Sequence, residues 1–166
     1  MGRLVKLKNV DTLIRAFSRY QGENDLLVIV GDGPEKDNLV RLSSELACNA
    51  SFMGFLEGPA LDVWYNVAHV LILPSYQESF GAVTNEALIA GCYCLVSEKA
   101  GSQCLIKDGV NGFVFSAMDV DDLERKLFLA RSLPFDTYGD GEVRASKMLF
   151  DYRTMTDGLI DHINSL

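Results

Sequence analysis

The sequence predicts an α/β fold, a Rossmann-like parallel sheet covered by helices on both faces, and three observations carry that expectation. Short continuous apolar runs, Leu26-Leu27-Val28-Ile29-Val30 and Val70-Leu71-Ile72-Leu73, have the length and character of strands buried on both sides. Between and around them, apolar residues recur at helical spacing, as at Val10, Leu13, Ile14 and Phe17 or at Leu123, Leu127 and Ala130. Strand, turn and helix alternate along 166 residues, a length that suits one domain with its own core. Such a sheet binds ligands beyond the carboxyl ends of its strands.

Composition narrows the function. A net charge of −8 argues against nucleic acid as a partner, because a basic face would be needed, so any phosphate contact must be local. No apolar run approaches the roughly 20 residues of a membrane span. Met1-Gly2-Arg3 does not begin a secretory signal, and a soluble, cytoplasmic chain is expected. The four cysteines, Cys48, Cys92, Cys94 and Cys104, form no Cys-x-x-Cys pair, and only His69 and His162 could join them, so no metal site is expected. Cys92 and Cys94 read as reduced thiols packed as small apolar residues. Neither internal repeats nor low-complexity tracts interrupt the chain.

Taken in order, Gly2 to Asn9 is a loop carrying Arg3, Lys6 and Lys8, which alone would be ordinary solvated cations. A helix should follow from Val10 to about Tyr20, with Gly22 after it. The strand at 26–30 runs into Gly31-Asp32-Gly33-Pro34, where Pro34 suits a first helical turn and a helix continues to about Leu46. The two glycines read as backbone clearance; a purely structural turn is an equal reading, and the dinucleotide fingerprint is excluded by the missing third glycine. Ala50 to Leu56 is a short strand and turn. Asp62 to Ala68 is a helix whose core face is expected at Val63, Trp64, Val67 and Ala68, with Trp64 packing rather than stacking on a sugar. His69 is a boundary residue before the strand at 70–73.

Past the turn at 74–81, Ala82 to Ala90 reads as a small-residue helix, and Cys94-Leu95-Val96 as the next strand. Asp108 to Gly112 is a tight turn before a strand at 112–114. Asp121 or Asp122 is the expected cap of a helix that Leu123, Leu127 and Ala130 carry to Arg131, and Leu133-Pro134-Phe135 breaks it. A loop at 138–141 and two further helices, 142–149 and 152–163, complete the pattern.

The chain is organised around Pro74 to Gly91, where an apolar strand turns into a helix. Glu78 lies in that turn and Glu86 inside the helix. Between them, the backbone N–H groups of Phe80, Gly81, Ala82 and Val83 have no intrahelical partners, and the helix dipole adds positive potential. Free amides suit a phosphate; carboxylates accept hydrogen bonds from sugar hydroxyls. Together they read as a nucleotide-sugar site.

Glu78, seven residues, Glu86, then Ala87 and the terminating Gly91 resemble the signature of family 4 retaining glycosyltransferases, the "glycosyl transferases group 1" family of GT-B fold. The resemblance implies that Glu78 faces the donor sugar as the catalytic carboxylate, that Glu86 holds the ribose, and that the amides of Phe80, Gly81, Ala82 and Val83 hold the diphosphate. The opening is similar to the family's Gly-Arg…Glu-Lys-Gly segment, which places Arg3 and Lys8 on the diphosphate, with Leu7 replacing the acidic residue and Asn9 the glycine. Asparagine also tolerates left-handed backbone. Gly31-Asp32-Gly33-Pro34 looks like the family's turn whose glycines, here Gly31 and Gly33, let the backbone approach the donor phosphate. Ala100-Gly101-Ser102-Gln103-Cys104 departs from the Gly-Gly-x-Pro-Glu element, so no carboxylate role falls at position 104.

By this resemblance, residues 1–166 are the second half of a GT-B enzyme, the nucleotide-sugar (donor) binding domain, lacking the domain's first strand and the N-terminal acceptor domain. The implied reaction moves a hexose from a nucleotide diphosphate sugar, most often UDP-linked, with no metal cofactor. The implied acceptor is a glycan or glycolipid held by the missing domain, with peripheral membrane association of the full-length enzyme and a setting in bacterial polysaccharide assembly following by association. The isolated fragment is expected to bind donor without transferring sugar. A non-catalytic nucleotide-sugar-binding or interaction module is the alternative, disfavoured by retention of Arg3, Lys8, Glu78 and Glu86. A related epimerase or phosphorylase would want acid, base or cofactor-lysine residues that find no place here.

Overall fold

The computed structural model describes residues 1–135 and 144–149. A single 3-10 turn at Lys6–Lys8 leads into α1 (Val10–Tyr20), β1 (Leu27–Val30), α2 (Lys36–Glu45), β2 (Ala50–Gly54), α3 (Pro59–Val67) and β3 (Val70–Leu73). Then come α4 (Ala82–Ile89), β4 (Tyr93–Ser97), a 3-10 turn at Gly101–Leu105, β5 (Gly112–Phe115) and α5 (Val120–Arg131). All strand pairings are parallel: β1 with β2, and β3 with β4 with β5. Every sequence-predicted strand and helix before residue 132 is present within a few residues of its expected bounds.

The reason lies in β4, whose five residues are all buried. Successive side chains of a strand point to opposite faces. Leu95 enters an apolar cluster with Leu13, Ile14 and Phe17 of α1 and Leu123 and Leu127 of α5. Its neighbours Cys94 and Val96 join Tyr65 of α3 and Ala87 and Leu88 of α4 on the other side. Positions 93–96 therefore face apolar packing on both sides, which is why the run reads as continuous rather than alternating up to the polar Ser97. Cys92 and Cys94 are buried, as small apolar side chains there must be.

The five strands do not form one continuous sheet. Between β1 and β3 lies a cavity of about 550 Å³, lined along the whole length of both strands and closed by Leu13 and Phe17. Beside the end of β1, the N–H groups of Gly2 and Leu4 donate to the carbonyls of Val30 at 3.0 Å and Asp32 at 2.8 Å.

Three local expectations are corrected. The core face expected of α3 holds at Ala68 but not at Val63 and Val67, which are exposed; Leu61 and Tyr65 turn inward with Ala68 instead. This helix carries more apolar residues than its buried stripe uses, so periodicity alone picked the wrong stripe. The cap of α5 is Asp119, whose carboxylate accepts from the N–H groups of Asp121 and Asp122 at 2.9 and 3.0 Å. The helix expected over 142–149 is not formed at 144–149, which is irregular. This segment instead straps the domain: the Arg144 guanidinium donates to the carbonyls of Tyr65, Asn66 and Ala68, and Lys147 N–H to Leu88 O. The guanidinium thereby satisfies carbonyls that the end of α3 leaves without intrahelical partners. The expected loop at 138–141 and helix at 152–163 lie outside the described residues.

Candidate donor-binding site

The site begins with the backbone. β3 ends at Leu73, and α4 starts nine residues later at Ala82, with Gly81 in its N-cap position at φ 90°. A Cβ on Gly81 would stand 2.6 Å from Leu73 Cδ2 and 3.2 Å from Ser102 Oγ, so both the left-handed backbone and the space require glycine. Gly101 serves the same turn from outside. A Cβ there would meet the Ser79 carbonyl oxygen at 2.1 Å, and its absence lets Gly101 N–H donate to Glu78 O and Ser102 N–H donate to Phe80 O. Thr84 and Ser102, both buried, share a hydrogen bond of 2.9 Å beneath the helix start. The segment that replaces the family's Gly-Gly-x-Pro-Glu element is therefore the buttress of the turn.

Held in this way, the turn leaves donors over. Glu78 N–H is used by Lys99 O and Thr84 N–H by Gly81 O, whereas the N–H groups of Phe80, Gly81, Ala82 and Val83 have no acceptor among the described residues. No side chain caps α4. Four amides at a helix start are thus left unspent, with no acid in the first turn, the feature at which helix N-termini receive anions.

The cations come from the start of the chain. Lys8 Nζ donates to Glu78 Oε2 in a half-buried ion pair. Asn9 fixes that placement: it is fully buried, adopts left-handed backbone at φ 53°, and donates from Nδ2 to Pro74 O at 3.0 Å and Ala117 O at 2.7 Å. Tyr76 N–H to Leu7 O at 2.8 Å adds a second tie. The tolerance expected of asparagine in place of glycine is thus used, and its amide does work that glycine could not. Arg3 sits exposed between Gly2 and Leu4, and its guanidinium makes no hydrogen bond or ion pair among the described residues.

Gly31 and Gly33 are needed for a nearer neighbour than a phosphate. A Cβ on Gly31 would lie 1.8 Å from Gly2 O, and on Gly33 2.4 Å from Leu4 O, so these glycines admit the segment that carries Arg3. Asp32 caps the turn by accepting from Gly33 N–H at 2.7 Å and Lys36 Nζ at 2.9 Å, and those two bonds, Lys36 first, hold its carboxyl below the usual range.

Glu86, one turn into α4, accepts a 2.6 Å hydrogen bond at Oε2 from the phenol of buried Tyr65. Tyr65 was not among the residues that the sequence pointed to; its place within an apolar helix gave no signal of a polar task. Burial first, then the Glu86 carboxylate, push the phenol far above its ordinary range, so it stays a donor at every working pH. Lys8 and Tyr65, the two residues bonded to the carboxylates, both line the cavity between β1 and β3, as does Arg3. Glu78, Glu86 and residues 80–83 are not among the residues that line that cavity, which is the sheet gap.

Known proteins resemble this chain closely. The family model "Glycosyl transferases group 1" matches residues 1–133. An uncharacterised glycosyltransferase of Methanocaldococcus jannaschii is 38% identical over 115 residues, covering 68% of this chain and 30% of the relative. The D-inositol 3-phosphate glycosyltransferase of Kribbella flavida is 30% identical over 182 residues, covering 95% and 43% respectively. The chain thus spans less than half the length of these relatives. Among solved structures, the lipopolysaccharide outer core galactosyltransferase WaaB in its apo form superposes with a TM-score of 0.75 at 25% identity, over 99% of this chain and 48% of that one. Anabaena HepE in complex with UDP gives 0.72 at 21% identity, over 99% and 48%, a likeness of fold.

Proposed function

The chain belongs to the glycosyl transferases group 1 family, and from that premise we propose that it is the donor-binding part of a retaining hexosyltransferase using a nucleotide diphosphate sugar, with UDP as the carrier. The observation that carries the reading is the meeting of Lys8 with Glu78 beside four unspent amides at the start of α4. A cation and a row of N–H groups suit a diphosphate, and the carboxylate between them suits the hydroxyls of the attached sugar.

In this reading the diphosphate lies on the amides of Phe80, Gly81, Ala82 and Val83 and draws Lys8 Nζ and the exposed Arg3 guanidinium to its oxygens. Charge growing on the departing diphosphate is met by groups already in place, which is where electrostatic preorganisation lowers a barrier. Glu78 holds the sugar in the reactive pose, and Glu86 binds the ribose. Gly31 and Gly33 act through the Arg3 segment that they admit. No metal is assigned a role, and donor binding is expected to survive EDTA. UDP in the HepE crystal supports the choice of carrier. The acceptor site belongs to the remainder of a longer enzyme, acting on a glycan or glycolipid, and these residues alone bind donor without turnover.

Isothermal titration against UDP-, GDP- and ADP-sugars tests the proposal. Saturable binding of one of them, weakened by Glu86→Ala, is expected; no binding of any nucleotide sugar would refute it, and steady multiple turnover by this chain alone would refute the assignment of the acceptor site elsewhere.

A further inference from the structure

We infer that Tyr65 is the positioning residue for Glu86 and thereby the determinant of ribonucleotide over deoxyribonucleotide selectivity at this site; the inference rests on the nucleotide reading above. A glutamate on an exposed helix surface has three rotatable side-chain bonds, and freezing them on binding costs free energy. Glu86 is not left in that state. Tyr65 reaches it from α3, 21 residues earlier in the chain, with an O–H···O separation of 2.6 Å, within the range of charge-assisted hydrogen bonds.

The phenol is itself immobile. Tyr65 is 6% exposed and packed in the cluster with Leu71, Ala87 and Cys92. Its carbonyl accepts from Arg144 Nη2 at 2.7 Å and from Cys92 Sγ at 3.2 Å, so backbone and ring are held at opposite ends. The anchor takes one lone pair of Oε2. Oε1 has no partner among the described residues. What remains of the carboxylate is thus one open oxygen and one half-used oxygen in a fixed plane, the geometry that accepts two adjacent hydroxyls. A ribose offers such a pair; a 2′-deoxyribose offers half of it, and the unfilled acceptor is then a loss. Without the phenol, Glu86 can swing to follow a single hydroxyl, and the distinction between the two sugars shrinks.

The test is titration calorimetry of UDP, 2′-deoxy-UDP and inorganic pyrophosphate against the native chain, Tyr65→Phe, Glu86→Gln and the double variant. The native chain should prefer UDP over its deoxy analogue by about tenfold or more, the worth of a hydrogen bond to a charged group. In Tyr65→Phe the preference should fall to roughly threefold, with pyrophosphate affinity unchanged and little further effect when Glu86→Gln is already present. Equal weakening of all three ligands by Tyr65→Phe would mean a merely structural ring and overturn the inference. So would an undiminished UDP preference in Tyr65→Phe, with the nucleotide reading intact. Failure of the native chain to bind UDP would overturn the assignment of UDP as carrier, on which this inference rests.

Discussion

Lys8 and Glu78 meet across the domain although 70 residues separate them in the chain, one on the 3-10 turn before α1 and the other on the turn before α4. The pair joins a cation to the carboxylate that precedes the unspent amides. It also keeps the Glu78 acid from lying unopposed beside that helix start.

Replacing Lys8 therefore separates binding from folding. Lys8→Ala should weaken UDP affinity by roughly tenfold to a hundredfold, the worth of about 1.5–3 kcal/mol for hydrogen bonds to charged groups, because a diphosphate would then face Glu78 without its counter-charge. Unfolding should become easier by only about 1 kcal/mol, as expected for a pair still partly open to water. Calorimetry and urea unfolding give the two numbers, and undiminished affinity would remove Lys8 from the site.

Asn9 offers a test of how the cation is placed. Asn9→Ala forces a Cβ-bearing residue without amide compensation into left-handed backbone, at roughly 1–2 kcal/mol, and strips two buried carbonyls of their donor, at about 1–3 kcal/mol. Asn9→Gly keeps the backbone and loses the bonds. Urea midpoints should fall in the order native, Asn9→Gly, Asn9→Ala, and nucleotide affinity should fall with them.

Gly101→Ala should damage the site without touching a ligand. Its Cβ would meet the backbone of Ser79, so the 78–80 turn has to move and the α4 amides with it. Gly109→Ala is the control: its φ of 76° carries a cost of roughly 1–2 kcal/mol, but nothing lies within 4 Å of the added atom. Both variants should lose stability in urea, and only Gly101→Ala should lose nucleotide binding.

The buried thiols predict an alkaline limit. Burial raises Cys94 well above the ordinary thiol value and raises Cys92 as well, the latter against the opposing pull of Arg144 and Lys147. A thiol raised by folding contributes stability that is fully present below its unfolded value, about pH 8.5, and lost as pH rises through the folded value. Urea midpoints should accordingly fall as pH rises above about 8.5, less steeply in Cys94→Ala. In the native state a disulfide reagent should react rapidly with exposed Cys104, and with Cys92 and Cys94 only on unfolding.

Much of this was legible in the residues because strands buried on both faces must be apolar throughout, and because glycine and proline mark their ends. β1, β3 and β4 declared themselves in this way, and the spacing of Glu78 and Glu86 around a strand-to-helix turn announced the site. What stayed hidden was pairwise. Nothing in the local sequence around Tyr65 ties it to Glu86, nor Asn9 to Pro74 and Ala117, since these bonds depend on how distant turns are packed together. Gly31 and Gly33 showed that clearance was needed but not for what; the answer is the backbone of Gly2 and Leu4. The α3 stripe misled for a different reason, an excess of apolar residues over the surface available to bury them.

The gap between β1 and β3 bears on how the protein behaves in company. Two sheet edges border one greasy trench, each with peptide groups able to pair with a newcomer. An extended polypeptide entering there would be gripped from left and right at once, a stronger hold than either margin gives alone.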